Sequence, residues 1–307
     1  MYITHIMRRK IPSLQALMCF DAAARHQSYT RAAQELALTQ GAVSRQLTAL
    51  EDFLGVALFK RTRHGVALTA SGRDYAQQVA TRLAALEQDT LDVMSTQGRG
   101  SVLALAAVPT FATRWLIPRL PSLKAQHPDL TVHIDTRTRP FLFADTRFDA
   151  ALFAGTPEQV ANWAGTQAVK LLDEDVLPVC TPQWLGGQAN LSPQDITAMP
   201  LLQQSTRPLA WRQWFDAQGV AAPQALAGPR FELFSMTAAA AVHGLGLALV
   251  PRLLISGELA RGELVVACNA PLPGARAYYL VLPEGSDNPP VVHIFQHWLL
   301  TAAASPR

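Results

Sequence analysis

Cysteine, charge and long apolar runs are all scarce in this sequence of 307 residues. The three cysteines, Cys19, Cys180 and Cys268, lie far apart with no CxxC spacing, which argues against a disulfide framework, a redox motif and a zinc site. Only 16% of the residues are charged, yet they interrupt every apolar stretch before the roughly 18 residues that a membrane-spanning helix needs. We therefore expect a soluble cytoplasmic protein without metal, cofactor or membrane partner.

A convincing export signal is also lacking. The basic triplet Arg8–Lys10 is followed by an apolar segment, but that segment contains Gln15 and Asp21 and is typical of an amphipathic helix. Residues 1–6 are either an upstream start or an extension, and the sequence does not decide between them.

Positive charge is concentrated at the N-terminal end. Residues 1–70 hold nine Lys and Arg against four Asp and Glu, a net +5 that leaves −2 for the rest because the whole chain carries +3. A local excess of this kind attracts polyanions. Since a chain of this length favours two domains, the small basic module is expected to be one of them.

Helical periodicity dominates residues 14–97. Three apolar stripes predict three short helices, with Ser13, either Ser28 or Thr30, and Thr39 as their N-terminal caps. The stripes are Leu14, Leu17, Met18 and Ala22, then Ala32, Ala33, Leu36 and Ala37, and finally Val43, Leu47, Leu50 and Leu54. Residues 59–69 alternate around a glycine, which predicts two short strands and a tight turn.

A long helix is predicted from Ala70 to about Thr96. Its apolar seam is Tyr75, Val79, Leu83, Leu86, Thr90 and Val93, with spacings close to a heptad. The seam needs a partner, and a second copy of the helix is the simplest one. Residues 97–101, with two glycines and no apolar side chain, predict a hinge.

Beyond the hinge the pattern changes to apolar strands that mostly alternate with helices. This predicts an α/β region with mostly parallel sheet and helices on both faces. The predicted strands are 101–108, 130–135, 149–154, 176–180, 247–250, 264–267 and 278–282, and the predicted helices include 111–126, 210–218 and 235–243.

Residues 28–51 predict a helix-turn-helix that reads DNA. Small alanines allow the first helix to pack closely, and the second helix carries Gln40, Ser44, Arg45 and Thr48, which are free to enter a major groove. The strand pair that follows forms a wing whose Lys60, Arg61, Arg63 and His64 are expected to contact phosphates.

Several motifs resemble LysR-type transcriptional regulators. In the N-terminal part they are residues 20–28, Ala32-Ala33-Gln-Glu-Leu36, Thr39-Gln-Gly-Ala-Val-Ser-Arg-Gln46, residues 50–55, Leu58-Phe-Lys-Arg61 and Leu68-Thr-Ala-Ser-Gly72. In the remainder, residues 108–120, Pro178-Val-Cys-Thr-Pro182, Trp211-Arg-Gln-Trp214 and residues 238–249 are similar to the branch that includes activators of glycine cleavage and of β-lactamase genes. The resemblance covers nearly the whole chain.

The resemblance implies an α+β multidomain protein. Residues 1–69 would form a winged helix-turn-helix domain, residues 70–97 a dimerising linker helix, and residues 98–307 an effector domain of two α/β lobes like periplasmic binding proteins. Lobe one would comprise 101–170 and 270–307, and lobe two 171–269. The assembly would be a homodimer through the linker helix, usually paired into a homotetramer.

The resemblance also implies which residues bind DNA. Gln40, Ser44 and Arg45 lie where the family reads bases or grips phosphates. Backbone contacts are expected from Arg31, Thr39, Gln46 and Arg63. Arg45 can donate to a guanine edge or to a phosphate, and the sequence leaves both open. The partner would be double-stranded promoter DNA, and the bound protein can recruit RNA polymerase or block it.

A small-molecule effector, an organic acid or an amino acid, is expected between the two lobes. Thr110 and Phe111 open a helix after the first strand, where exposed amides favour an anion. The other expected effector residues are Gly155, Thr156, Gln204, Ser205, Phe234 and Ser235. Ordinary helix capping by Thr110 and Ser235 is the alternative. At Phe153-Ala154 relatives often carry an arginine or another polar residue, so the cleft is either more apolar than usual or does not bind a carboxylate.

Other functions have weaker support. The run Gly244-Leu-Gly-Leu precedes a strand and lacks the third glycine of a dinucleotide fingerprint. His293 and His297 lack the glutamate and third ligand of a metalloprotease site. A solute-binding protein would need an export signal and would not need a basic module. It remains an alternative together with an uncharacterised α/β enzyme, but we predict a regulator without enzymatic activity.

Overall fold

The computed structural model of the protein describes residues 10–63, 65–96, 101–272, 274, 276–285 and 288–305. The chain divides into two compact units, residues 1–98 and 99–307. Within the described residues, no helix is both long and apolar enough to cross a bilayer.

The first unit contains four helices and a strand pair in its described part. They are α1 (Leu14–His26), α2 (Tyr29–Glu35), α3 (Gln40–Leu54), β1 (Phe59–Thr62), β2 (Gly65–Leu68) and α4 (Ala70–Thr96). Ser13, Ser28 and Thr39 cap the first three helices, each accepting a hydrogen bond from the backbone amide three residues on. Ser28 rather than Thr30 is therefore the cap of α2.

A buried cluster around Phe20, Leu47 and Leu50 holds the three short helices together. The stripes predicted for α2 and α3 contribute Ala32, Ala33 and Val43 to this cluster. The stripe predicted for α1 is partly wrong, because Leu14 and Met18 are 50% and 44% exposed. The buried face of α1 is formed instead by Ala16, Cys19, Phe20, Ala22 and Ala23. Small side chains on that face let α1 lie close to α2 and α3.

The apolar seam of α4 divides into two halves. Val79 is buried, and Tyr75 and Leu83 pack against the cluster of the first unit. Towards its C-terminal end, Leu86 and Val93 are 49% and 68% exposed. The distal half of the helix thus presents apolar side chains that the first unit does not cover.

The second unit is built on two sheets, each of five strands in the described part of the chain. The first has the order β4-β3-β5-β12-β6 and the second β11-β7-β10-β8-β9. The strands are β3 (Ser101–Ala107), β4 (Leu130–Thr136), β5 (Ala150–Gly155), β6 (Thr166–Asp173), β7 (Val176–Cys180), β8 (Leu201–Gln204), β9 (Arg230–Phe231), β10 (Leu247–Pro251), β11 (Val265–Val266) and β12 (Ala277–Pro283).

Helices pack against these sheets. They are α5 (Pro109–Phe111), α6 (Leu120–Gln126), α7 (Pro157–Ala161), α8 (Pro193–Ile196), α9 (Ala210–Ala217), α10 (Phe234–Val242), α11 (Ser256–Ala260) and α12 (Pro290–Ala304). A π-helical turn, Ala112–Leu116, and a 3₁₀ turn, Ile117–Arg119, connect α5 to α6, where the sequence predicts one uniform helix. Trp211, Trp214, Phe111 and Phe295 are among the largest fully buried side chains.

The prediction of mostly parallel sheet is wrong in detail. β3 pairs in parallel with β4 and β5, and β8 pairs in parallel with β9 and β10. The chain crosses twice from one sheet to the other. The strands that flank these crossings make antiparallel pairs, and they are β6, β7, β11 and β12. The crossings lie between Asp173 and Val176 and between Val266 and Ala277.

Candidate DNA-binding surface and ligand cavities

The helix α3 has one buried and one exposed face. Val43, Leu47 and Leu50 are buried against the first unit. Gln40, Ser44 and Thr48 recur every four residues on another face, and Gln40 and Thr48 are exposed while Ser44 is partly exposed. The predicted base-reading residues are therefore brought together on the outside of one helix.

The predicted phosphate contacts include five exposed cations of the first unit. Arg31, Arg45, Arg61 and Arg63 are exposed, as is Lys60, and none forms an ion pair with an acidic side chain of the described residues. Lys60 and Arg61 lie on β1, which pairs with β2 in the register Phe59↔Leu68. Thr39 caps α3, Gln46 is half-buried on α3, and His64 lies outside the described residues.

An ion-pair network joins the C-terminal part of α1 to the C-terminal residue of α2, the first helix of the helix-turn-helix. Arg25 donates from Nη1 to Glu35 Oε2 at 3.0 Å and from Nε to Asp21 Oδ2 at 3.0 Å. The imidazole Nε2 of His26 lies 2.6 Å from Glu35 Oε2. Hydrogen bonds from Arg25, then from His26, lower the pKa of Glu35 from 4.5 to about 2.

We expect Glu35→Gln to destabilise the protein at pH 7 by about 0.5 to 1 kcal/mol, since the carboxylate is partly exposed and solvent screens its pairs. A depressed folded pKa gives stability that is complete above the unfolded value and disappears as pH falls. The difference from wild type should therefore shrink between pH 4.5 and about pH 2. Calorimetric unfolding at several pH values measures it, with Glu87→Gln on α4 as the control. A difference independent of pH would contradict this assignment.

Among the cavities in the described part of the second unit, two share part of their lining, and one of these two is bordered by both sheets. This main cavity has a volume of about 270 Å³. It is lined by Val108, Pro109, Thr110, Phe111, Thr138, Arg139, Pro140, Phe153, Ala154, Gln159, Glu174, Gln204, Thr206, Arg207, Glu232, Leu233, Phe234, Leu254, Arg276 and Tyr278.

The second, which we name the side cavity, has a volume of about 380 Å³. It shares Glu174, Gln204, Thr206, Arg207, Phe234 and Arg276 with the main cavity. Its other lining residues are Thr156, Val176, Leu202, Pro208, Leu209, Ala210, Trp211, Gln213, Leu249, Leu272 and Gly274.

The predicted effector residues divide between these cavities. Thr110 and Phe111 line the main cavity, Thr156 lines the side cavity, and Gln204 and Phe234 line both. Gly155 and Ser205 are not among the described lining residues of either cavity. Thr156 accepts a hydrogen bond from Gln159 N at 3.2 Å as the cap of α7.

Thr110 and Ser235 make a contact between the two sheet layers. The hydroxyl oxygen of Thr110 accepts a hydrogen bond from the backbone amide of Ser235 at 3.2 Å. Ser235 is in the first turn of α10, and Leu233, the N-cap residue of that helix, supplies no side-chain cap. Arg114, on the π-helical turn, makes a second contact between the layers by pairing with the buried Glu258 on α11. Thr110 therefore does not cap its own helix, as ordinary capping would require, but supplies an acceptor to the first turn of a helix 125 residues away in the sequence.

A charged cluster lies where the two cavities meet, and sequence reasoning missed it. Glu174 is buried, and Arg207 donates to both of its carboxylate oxygens, from Nε at 2.9 Å and from Nη2 at 3.0 Å. Arg276 Nε is 3.5 Å from Glu174 Oε1. The other guanidinium nitrogens of Arg276 donate to Gln159 Oε1 at 3.0 Å and to Ala154 O at 2.6 Å. Two cations around one carboxylate leave a net charge of +1.

Burial shifts the pKa values of two residues in and beside this cluster. It lowers the pKa of Arg276, and the nearby charge of Arg207 lowers it further. Burial also raises the pKa of Tyr278 well above its ordinary value, with the charge of Glu174 adding to the effect. The phenol is therefore neutral at physiological pH and able to donate a hydrogen bond.

The apolar residues Phe153 and Ala154 do line the main cavity, as the sequence suggests. The main cavity nevertheless contains charged groups from other parts of the chain. Arg139, Arg207 and Arg276 line it, as do Glu174 and Glu232. In the described part of the chain, no group of three or more His, Cys, Asp or Glu could hold a metal ion.

Two family models match the chain in sequence. The model of the LysR substrate binding domain matches residues 96–304, about two thirds of the chain. The model of bacterial regulatory helix-turn-helix proteins of the lysR family matches residues 14–73. The chain is a LysR-type transcriptional regulator. The prediction of a regulator is confirmed against the solute-binding and enzyme alternatives, since its relatives are named transcriptional regulators.

Relatives of this LysR-type regulator match it over almost their whole length. The glycine cleavage system transcriptional activator of Escherichia coli K12 is 35% identical over 300 residues, which cover 97% of this chain and 96% of the relative. The transcriptional activator AmpR of Pseudomonas aeruginosa is 34% identical over 302 residues, covering 97% and 98%.

Solved structures agree with the fold of this LysR-type regulator. The effector domain of AmpR from Pseudomonas aeruginosa superposes with a TM-score of 0.59 at 27% identity, covering 66% of this chain and 96% of that domain. Full-length CbnR, solved with its target DNA, gives a TM-score of 0.69 at 20% identity, covering 94% and 99%. The prediction of an N-terminal helix-turn-helix followed by a two-sheet α/β effector domain is confirmed.

Proposed function

We propose that this regulator reads promoter DNA with the outer face of α3 and grips phosphates with the wing. The observation that carries the proposal is the exposure of Gln40, Arg45 and Thr48 and the partial exposure of Ser44 on α3, whose Val43 and Leu47 are buried. Polar side chains on one exposed helix face can reach base edges in a major groove. The exposed cations Arg31, Lys60, Arg61 and Arg63 support contacts to the DNA backbone.

Arg45→Ala tests the assignment of α3. We expect operator affinity to fall by about 1 to 3 kcal/mol, or roughly 5-fold to 150-fold, because an exposed guanidinium that donates to a base edge or phosphate is lost. Electrophoretic mobility shift at fixed salt, with the DNA upstream of the gene, measures the change. Arg212→Ala on α9, which also removes an exposed arginine, is the matched control and should bind as wild type does. Unchanged affinity for Arg45→Ala removes Arg45 from the interface.

The effector we propose is a small organic acid or amino acid held in the main cavity. A carboxylate there would face Arg207 and Arg276, which carry more charge than Glu174 offsets. Thr110 and Tyr278 add hydroxyl groups on the lobe-one side. Net positive charge in a partly desolvated cavity favours an anion.

Effector binding would act on DNA by shifting the population of lobe arrangements. Thr110 and Arg114 link lobe one to Ser235 and Glu258 of lobe two, so a ligand that changes these contacts changes the relative free energies of the open and closed states. We assign 101–170 and 270–307 to lobe one and 171–269 to lobe two.

Pairing of α4 would carry that change to the DNA-binding units. The exposed Leu86 and Val93 on the distal half of α4 suit a second copy of the same helix. We propose residues 1–69 as the DNA-binding domain, 70–97 as the dimerising helix and 98–307 as the effector domain. The assembly would be a homodimer and then a homotetramer in the cytoplasm, and it would act on transcription by contact with RNA polymerase or by blocking it.

A further inference from the structure

The side cavity has two chemically different ends. The apolar residues Leu202, Trp211, Leu249 and Leu272 line this cavity alone and form its apolar wall. The charged residues Glu174, Arg207 and Arg276 line the end that it shares with the main cavity. A site with one apolar and one charged end suits an amphipathic ligand. Its volume of about 380 Å³ falls in the range of small-molecule sites.

Glu174 does not fully neutralise the charged end of the side cavity. Glu174 satisfies Arg207 through two hydrogen bonds, whereas Arg276 Nε is buried and has no hydrogen-bond partner among the described residues. Its distance of 3.5 Å from Glu174 Oε1 allows an electrostatic attraction only. A guanidinium in this situation favours a carboxylate, which accepts N–H donors in matching planar geometry.

We propose that the side cavity is a second ligand site, which binds a small monocarboxylate with an aromatic or branched apolar body. The carboxylate faces Arg276 and Arg207, and the body is buried against Trp211 and Leu202. This site adjoins the proposed effector site in the main cavity and shares Arg207 and Arg276 with it, whereas its apolar wall belongs to the side cavity alone. Its occupation does not depend on how α3 reads DNA.

The position of the side cavity gives such a ligand access to the connections between the sheets. Glu174 and Gly274 belong to the two crossings of the chain and both line the cavity. The crossings are hydrogen-bonded to one another, from Glu174 N to Arg276 O at 3.1 Å and from Gly274 N to Asp175 Oδ1 at 3.2 Å. A ligand in the side cavity therefore contacts both crossings of the chain between the two sheets.

Binding of 4-fluorophenylacetate to the full-length protein tests the proposal, with fluorine NMR titration as the readout. We expect saturable binding, and at least about tenfold weaker binding of the neutral 4-fluorophenylacetamide because the arginines gain no charge partner. Absence of saturable binding, or equal affinity of the acid and the amide, overturns the proposal.

Three tryptophan variants locate the bound probe. Ala210→Trp and Gln213→Trp place a bulky ring at the side cavity, while Thr138→Trp places the same ring at the main cavity. The first two should weaken binding by about tenfold or more, and the third should leave it within about twofold. Gln213 is exposed on α9, so Gln213→Trp should fold normally. It therefore still tests the proposal if Ala210→Trp lowers the unfolding temperature of the protein.

The reverse pattern, in which only Thr138→Trp weakens binding, places the probe in the main cavity and overturns the proposal. Wild-type affinity in both side-cavity variants does so as well. Operator binding is measured on the same samples. In the wild-type protein, absence of probe binding with intact operator binding contradicts this inference alone, and probe binding without operator binding contradicts only the proposed function.

Discussion

Glu174→Ala is expected to destabilise the effector domain by about 3 to 5 kcal/mol, the usual cost of removing one partner from a buried ion pair. The carboxylate is 3% exposed and lies against two guanidinium groups, those of Arg207 and Arg276. Without it, two cations remain close together in a poorly hydrated place. Their mutual repulsion is no longer offset, and the two donors of Arg207 lose their acceptors.

Tryptophan fluorescence during urea unfolding measures this change selectively. All six tryptophans lie between Trp115 and Trp298, so the signal arises from the second unit alone. Glu174→Gln retains the shape and one acceptor oxygen, and it should fall between wild type and Glu174→Ala.

The neighbouring Asp173→Ala is the matched control for Glu174→Ala. Its ion pair with Lys170 is more than half exposed on both sides, so the expected change is within about 0.5 kcal/mol. If Glu174→Ala is as stable as this control, the two arginines do not depend on Glu174.

Operator affinity is expected to fall by about a thousandfold or more between 50 mM and 200 mM salt, as for proteins that make about six to ten phosphate contacts. The first unit offers the exposed cations Arg31, Arg45, Lys60, Arg61 and Arg63, and a dimer offers each of them twice. Each phosphate contact releases condensed counterions from the duplex. Added salt opposes this release, which is why affinity declines steeply.

Arg61→Gln should lower the slope of log affinity against log salt by about 1.8 per dimer, since each lost phosphate contact contributes about 0.9. Fluorescence anisotropy over a salt series gives the slope. Arg212→Gln, which removes an exposed charge from α9, should leave it unchanged. A wild-type slope for Arg61→Gln would show that the wing residue does not contact the backbone.

The helix-turn-helix could be predicted closely because its signals are local. Ser13 and Thr39 cap helices whose starts the sequence shows within a residue or two, and the stripe Val43, Leu47 and Leu50 is buried as expected. The face of α3 that carries Gln40 and Ser44 follows from the same period. Leu14 and Met18 were misplaced because the buried side of α1 is lined mainly by small alanines, which give a weak hydrophobic signal.

Strands and site residues without a local signal could not be predicted. β6 is an edge strand whose residues are mostly exposed or half-buried, and β8 includes Gln203 and Gln204, which are buried because their side chains are hydrogen-bonded. Glu174, Arg207 and Arg276 come from three distant parts of the chain. Only the crossing of the chain between the sheets brings them together, and no spacing rule in one sequence reports that.

The hydrogen bond from Ser235 to Thr110 makes the start of α10 dependent on the opposite lobe. In the lobe separation proposed above, the amide of Ser235 would exchange a fixed acceptor for solvent, and the first turn of α10 would lose that support. Fraying of this helix end would then be coupled to opening of the cleft. The first turn of α10, in one lobe, thus obtains one of its hydrogen-bond acceptors from a side chain of the other lobe.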